Sequence, residues 1–408
     1  MSTAIPDLPI LLADDSMLSR KFGREVTNYF SGSPLNRVSF LRGDHAFLNA
    51  AFAYPKSAFL LLDDYSPLAK NTTTLAYVSS DDVVPLTGPE PFAASEEEHI
   101  RNFDSGITQP TILFLGLDEK VPGFEYRDYK GRPYFAVDVT PKGTIAERAK
   151  TVIDAVKAKE GVSFIPGARL LTLNAPEAAI YAQARALLDW NARNPFCAGC
   201  GERTMSINAG TKRVCPPTDM AGVQDRGEPQ KRADCPTRHG ISNLSFPRTD
   251  PTVIMAIVSA DGTKLLLGRG KRYPPGWYST LAGFLEPGES IEEAVRRETW
   301  EESGVRVGRV VIHSSQPWPY PANLMIGAIG QAIPDGEQIN LGNDPELEDA
   351  KWYTFDEVRE AMKADPLAFG EKLSEEEQKK LRIPPQTAIA NRLMAAVVEG
   401  YLAASPKM

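Results

Sequence analysis

Apolar residues come in short runs over roughly the first 167 positions. Ala58–Leu62, Thr111–Leu117 and Tyr134–Val139 are separated by clusters of Pro, Gly, Asn and Asp. Runs of this length bounded by turn formers predict strands, and the stretch reads as an α+β domain without a chemical motif. The period changes at Pro176–Asn191, where Ala179, Ala182, Ala186 and Leu187 fall near helical spacing and Pro176 suits a first turn. From Thr252 the run Val253–Val258, the turn Asp261-Gly262 and Lys264–Leu267 predict a hairpin that opens a second globular domain. A strand at Leu324–Ile333 and a last helix over Pro385–Ala403 follow. The resulting division is an N-terminal domain at 1–190, a cysteine-bearing segment at 191–245 and a second domain at 246–408, with no internal repeat.

One helix breaks the usual pattern. Ser290 and Glu293 form a capping box that starts a helix after the loop Gly283–Glu289. Its apolar stripe of Ile291, Ala294 and Val295 then continues into Glu298 and Glu302, with Glu301 adjoining. Carboxylates at these positions repel one another and are costly on a buried face unless neutralised. Carboxylates at i, i+3 and i+4 converge from neighbouring turns and offer the hard oxygen donors that suit Mg2+ or Mn2+. The plain alternative is a solvated acidic face.

Composition narrows the field. A chain of 408 residues, 42% hydrophobic and 24% charged, is expected to form two or three soluble globular domains. Its net charge of −8 argues against a broad nucleic-acid-binding face, though a bound cation can reverse the field within one cleft. No basic-then-apolar leader is read at Met1–Phe22, and no run reaches the length that crosses a bilayer, so no membrane partner is expected. All four cysteines fall between Cys197 and Cys235, which points to a reducing compartment and a metal site.

The run from Gly283 through Glu289, Arg297, Glu298, Glu301, Glu302 and Gly304 fits Gly-x5-Glu-x7-Arg-Glu-x2-Glu-Glu-x-Gly and resembles the Nudix box. Thr299, where the family usually carries an aliphatic residue, is the one departure. Ten residues beyond the box, Ser315-Gln316-Pro317-Trp318-Pro319-Tyr320-Pro321 resembles the array that marks NADH pyrophosphatases. Cys197-x2-Cys200 and Cys215 match a zinc ribbon. Nineteen residues then precede Cys235, so Pro216–Asp234 reads as an inserted, exposed loop. Cys235 is taken as the fourth zinc ligand, with His239 as the alternative.

The resemblance implies a Nudix α/β/α sandwich with a mixed sheet, preceded by a zinc ribbon and an α+β N-terminal domain. It implies Mg2+ or Mn2+ held by Glu298, Glu301 and Glu302, with Glu346 (or Glu348) adding a carboxylate from outside the box, and one structural Zn2+. Glu302 or a later carboxylate is the candidate base, and Arg297 with Glu289 holds loop against helix. Phe246, Phe284, Gln316, Trp318 and Ala390 are carried over as dinucleotide-binding positions. The implied activity is hydrolysis of NADH, and less well NAD+ or NAD-capped RNA, to NMN(H) and AMP, by a homodimer with Gln316 or Trp318 reaching across. The alternatives are an ADP-ribose or other nucleoside-diphosphate-X hydrolase and a dinucleotide-binding regulatory module. The C-terminal Pro406-Lys407-Met408 resembles a degenerate peroxisomal address, with a cytoplasmic location as the alternative.

Overall fold

The computed structural model describes residues 26–165, 171–239, 247–286, 289–343, 346–363 and 380–399. Phe246 and Pro406-Lys407-Met408 lie outside the described residues. No helix among them is long and apolar enough to cross a membrane.

The chain divides into two compact units. One comprises Ser33–Arg248 with Pro319–Ala322; the other comprises Thr249–Trp318, the chain from Asn323 onward and the segment ending at Gly32. By this division the cysteine segment and Pro319–Ala322 share a unit with the N-terminal domain, and residues 26–32 fall with the box.

In the unit that carries the box, Asp250–Val258 is the central strand of a six-stranded mixed sheet. It pairs in parallel with Asn323–Ala332 and antiparallel with Lys264–Gly270 and Leu281–Phe284. Val307–Trp318 and Leu347–Thr354 form the two edges. The central run is apolar on both faces because both are covered. Val253, Met255 and Ile257 pack with Ala294 and Val295 of the box helix, while Ile254, Ala256 and Val258 pack with Leu393 and Val397 of the last helix. Helices on both faces of one sheet make the expected α/β/α sandwich. The last helix spans Ile389–Val398 in the described residues, starting four residues later than the sequence predicts, after a turn at Pro385–Ala388.

The other unit is built on a seven-stranded mixed sheet in which Ala58–Asp63 runs parallel to Arg132–Asp138. The predicted runs at Ala58, Thr111 and Tyr134 are three of its strands, and the predicted helix spans Ala175–Arg193. The ribbon hairpin Met205–Ile207 with Lys212–Val214 leans on this body. At its tip the Phe114 amide donates to the Ala209 carbonyl. Gly210, at φ +82°, lies so close that a Cβ would stand 2.1 Å from Leu113 Cδ2.

The insertion between Cys215 and Cys235 departs from the loop reading. Its tip is exposed, but Thr218–Asp219 pairs with Gln230–Lys231, and Asp219 and Arg232 in this hairpin are buried. Asp219 accepts from the Ser105 and Ala221 amides at 3.0 Å each and from Arg232 at 2.5 Å. The Arg232 guanidinium in turn covers the Phe103 ring at 5.1 Å. Pro, Gly and Asp mark turns in a sequence, but an ion pair buried by contacts with the distant Phe103 and Ser105 leaves no local pattern.

Burial opposes the charged form of Asp219, yet the Ser105 and Ala221 amides, the Ser105 hydroxyl and Arg232 outweigh it and hold the carboxyl at about 2. A depressed folded value contributes stability that is present above the unfolded value of about 3.9 and lost as pH falls towards 2. Arg232→Ala would leave that carboxylate buried and short of a donor. A loss of about 3–5 kcal/mol is expected at neutral pH, read from urea unfolding of this unit. A loss below about 1 kcal/mol would show that the pair is not an anchor.

Candidate active site

The box helix spans Ile291–Ser303. Ser290 accepts from the Glu293 amide while Glu293 accepts from the Ser290 amide, closing the predicted capping box. Gly304 ends the helix at φ +74°, a left-handed position that glycine takes without strain. Thr299 is fully buried, and its hydroxyl donates to the Val295 carbonyl at 2.7 Å. That bond satisfies the polar group and explains how the helix tolerates it where an aliphatic side chain is usual.

Arg297 organises the carboxylates. Its Nε and Nη2 grip the two oxygens of Glu289 at 2.6 and 2.9 Å. Nη1 bonds both Glu298 and Glu301 at 2.9 Å, and Nη2 also reaches the Phe284 carbonyl at 2.8 Å. Arg297 thus does more than tie loop to helix: it also neutralises two of the proposed ligands. In return its hydrogen bond holds Glu289 below the usual carboxylate range. Glu298 is raised by burial and by the charges of Glu301 and Glu346, against the pull of Arg297.

Gly283 supplies the seat for Glu298. A Cβ at residue 283 would stand 2.0 Å from the Glu298 carboxyl carbon. The box glycine is therefore required by the close approach of a carboxylate to the backbone. Phe284 follows it with its ring 58% exposed.

Glu302 is 6% exposed, and Glu346 sits on the surface just before the edge strand Leu347–Thr354. Glu348 is engaged by Arg269 at 3.0 Å, which leaves Glu346 as the outside carboxylate that Glu298 senses. Among the described residues the glutamates are not drawn into one tight cluster; the four cysteines are the group of ligand-type side chains whose donor atoms converge. The donor set nevertheless fits a divalent cation. It offers hard oxygens, a backbone seat with no side chain, and mutual repulsion that a cation would relieve.

Of the binding positions carried over, Gln316 of the Ser-Gln-Pro-Trp array and Ala390 of the last helix are turned inward, and Trp318 of the array is half-buried against Phe30. Gln316 is fully buried; its Nε2 donates to the Tyr29 and Thr387 carbonyls, and its Oε1 accepts from the Ile389 amide, all at 2.9 Å. It ties three segments together, and its amide is spent doing so. Ala390 is 3% exposed in the core between sheet and last helix, so its methyl faces packing atoms and not an open pocket. Trp318 is half-buried and meets the Phe30 ring edge-on, with centroids 5.9 Å apart. The sequence carries no sign of these ties, because Tyr29 and Phe30 lie almost 290 residues upstream of the array.

In the other unit, the four cysteine sulfurs lie within 4.8 Å of one another. Cys197 is 3.5 Å from Cys235 and Cys200 is 3.5 Å from Cys215, near the spacing of about 3.8 Å that tetrahedral Zn–S bonds of about 2.3 Å require. Cys235 is fully buried, whereas His239 is exposed and bonds Asp234 at 2.8 Å, so the cysteine completes the set. Arg238 donates to the Cys215 sulfur at 3.4 Å and brings positive charge to the thiolates. Burial opposes the Cys197 thiolate, but the Thr237 hydroxyl and the Gly199 and Cys200 amides bring it down to about 6. Four convergent soft donors fit structural Zn2+ and leave no open position for catalysis.

Residues 248–372 match the NUDIX domain family, 192–220 the NADH pyrophosphatase zinc ribbon domain, and 55–190 the NADH pyrophosphatase-like rudimentary NUDIX domain. The chain is 37% identical over 366 residues to the NAD-capped RNA hydrolase of Schizosaccharomyces pombe, covering 85% of this chain and 90% of that protein. It is 35% identical over 390 residues to human NAD-capped RNA hydrolase NUDT12, covering 91% and 73%. It is 34% identical over 268 residues to mouse mitochondrial NAD(P)H pyrophosphatase NUDT13, covering 65% and 68%. With a box helix on a mixed sheet, a four-cysteine ribbon and relatives matched along most of their length, the chain belongs to the Nudix hydrolases, in the zinc-ribbon group of NADH pyrophosphatases.

Proposed function

We propose that this enzyme hydrolyses the pyrophosphate bond of NADH, less well that of NAD+, and the same bond where NAD caps an RNA. The products are NMN(H) and AMP, or an RNA ending in a 5′-monophosphate. The observation that carries the reading is the Glu298–Glu301 pair, held by Arg297 over the Gly283 seat beside the exposed Phe284 ring. The relatives' names supply the substrate class.

Mg2+ or Mn2+ held by Glu298, Glu301, Glu302 and Glu346 would neutralise charge on the phosphoryl oxygens and activate water. The chain's own groups do the rest. Arg297 fixes the carboxylate geometry, and Glu302 takes the proton of the attacking water, with Glu346 as the alternative. The water oxygen joins one phosphorus as the bridging P–O bond breaks, and the leaving phosphate keeps the electron pair. Phe284 offers a flat face to a base or pyridine ring. The amide of Gln316 supports this site by bracing the last helix and has no contact with substrate in this scheme. A homodimer belongs to the same proposal, on family resemblance.

A panel of NADH, NAD+, ADP-ribose and NAD-capped RNA, resolved by product chromatography with Mg2+ or Mn2+, tests the substrate. NADH should be cleaved to NMNH and AMP; a wide preference for ADP-ribose would defeat the reading. Glu302→Gln should lower kcat by about 1000-fold or more with an unaltered melting temperature, since loss of a base or ligand removes several kcal/mol of transition-state stabilisation. Wild-type turnover in this variant would remove Glu302 from the chemistry.

Protein purified without chelator should contain one zinc per chain. Cys235→Ser should lose the zinc and melt at lower temperature, while His239→Ala should keep both. Zinc loss in the histidine variant alone would reverse the assignment of the fourth ligand.

A further inference from the structure

The turn that follows the strand Lys264–Gly270 is not used by the scheme above. The Tyr273 amide donates to the Gly270 carbonyl at 2.9 Å, which puts Lys271 and Arg272 at the two central positions of a β-turn. Both are exposed, and neither forms a hydrogen bond or ion pair among the described residues. The Tyr273 ring beside them is 36% exposed. Arg269, by contrast, is committed to Glu348, so it braces the base of the turn.

The position of this turn gives it meaning. Gly270 pairs with Leu347, the residue after Glu346, and Leu347 packs in one cluster with Ala294 and Val295 of the box helix. The turn therefore stands at the rim of the carboxylate site, within the same unit. Lys271 and Arg272 thus place two cations without an ion-pair partner among the described residues on the rim, in a chain whose net charge is −8. The two phosphates of a free dinucleotide would be met by cations held on the carboxylates. Further positive charge at the rim suits a substrate that carries phosphate beyond that pyrophosphate, as an RNA continuing from the adenosine does. Pro274 and Pro275 directly after the turn limit its freedom, so less entropy is lost when it is engaged.

We propose that Lys271 and Arg272 bind the phosphodiester chain of an RNA that leaves the adenosine of an NAD cap. The inference rests on the function proposed above and assigns to that site a preference for capped RNA over the free dinucleotide. Exposed cations hold the backbone of a single strand without sequence preference.

The test compares NADH with a short NAD-capped RNA as substrates of the full chain, for wild type, Lys271→Ala/Arg272→Ala and Lys271→Glu/Arg272→Glu. For the alanine pair at low salt, KM for capped RNA should rise about tenfold, and the slope of log KM against log salt should fall by about 1.4, as expected for two lost phosphate contacts on a single strand. The glutamate pair should raise this KM further. Kinetics with NADH and the melting temperature should stay within error of wild type for both variants. An equal rise in KM for NADH and RNA would overturn the proposal by placing the turn on the dinucleotide. No change for either substrate would overturn it as well. A wild-type enzyme that cleaves NADH but not capped RNA would end this inference and leave NADH hydrolysis standing; one that cleaves neither would end the functional reading itself.

Discussion

The feature on which the site depends is the concentration of negative charge at one end of the box helix. Glu298, Glu301 and Glu302 lie within one turn and a half, and Glu298 is near enough to Glu346 to be raised by it. Such an arrangement folds only if something positive is present before any metal arrives. Arg297 supplies that charge from inside the same helix, and a single guanidinium contacts Glu289, Glu298 and Glu301 at once. Its planar fork does what a lysine ammonium could not, because four acceptors must be met in fixed directions. The loop that precedes the helix is held by the same group through the Phe284 carbonyl. Loop, helix and ligands are therefore one electrostatic unit.

How much of this was visible in the sequence follows from the range of the interactions. The capping box, the Gly304 stop, the acidic continuation of the apolar stripe and the cysteine spacing are all local, and each could be read from residues a few positions apart. The Gly283 seat was recognisable as a motif position, but its reason, the close approach of Glu298, needs the fold. Features set by distant segments leave no local pattern to read. Gln316 resembled a ligand contact because its motif marks an active site, yet its partners are Tyr29, Thr387 and Ile389. Pro216–Asp234 looked like a loop because its turn formers are local while the anchor at Ser105 is more than a hundred residues away. Residues 55–190 carry no acidic helix of the box type, so nothing chemical in them revealed their likeness to a rudimentary NUDIX domain.

Structural and reactive metal chemistry occupy separate parts of the chain. The ribbon thiolates are soft, convergent and largely buried, and their hairpin is packed against the N-terminal sheet by Gly210 and Ala209. The box carboxylates are hard and remain partly open, as a site that must admit a phosphate requires. The hydrophobic sandwich beneath the box helix supplies rigidity, and Ala294 and Val295 set the helix height from which the glutamates project. Precision in the site is thus inherited from packing, while its chemistry comes from charge.

Gly283 leaves a backbone seat with no side chain for the Glu298 carboxylate, and the proposed cation binding depends on that seat. The most direct test of that dependence is calorimetric titration of Mn2+ into Gly283→Ala and wild-type protein. An added Cβ would meet the Glu298 carboxylate, while the buried core is untouched, so the account predicts an unchanged melting temperature with Mn2+ affinity weakened about tenfold or more. Wild-type Mn2+ affinity in the Gly283→Ala protein would contradict it.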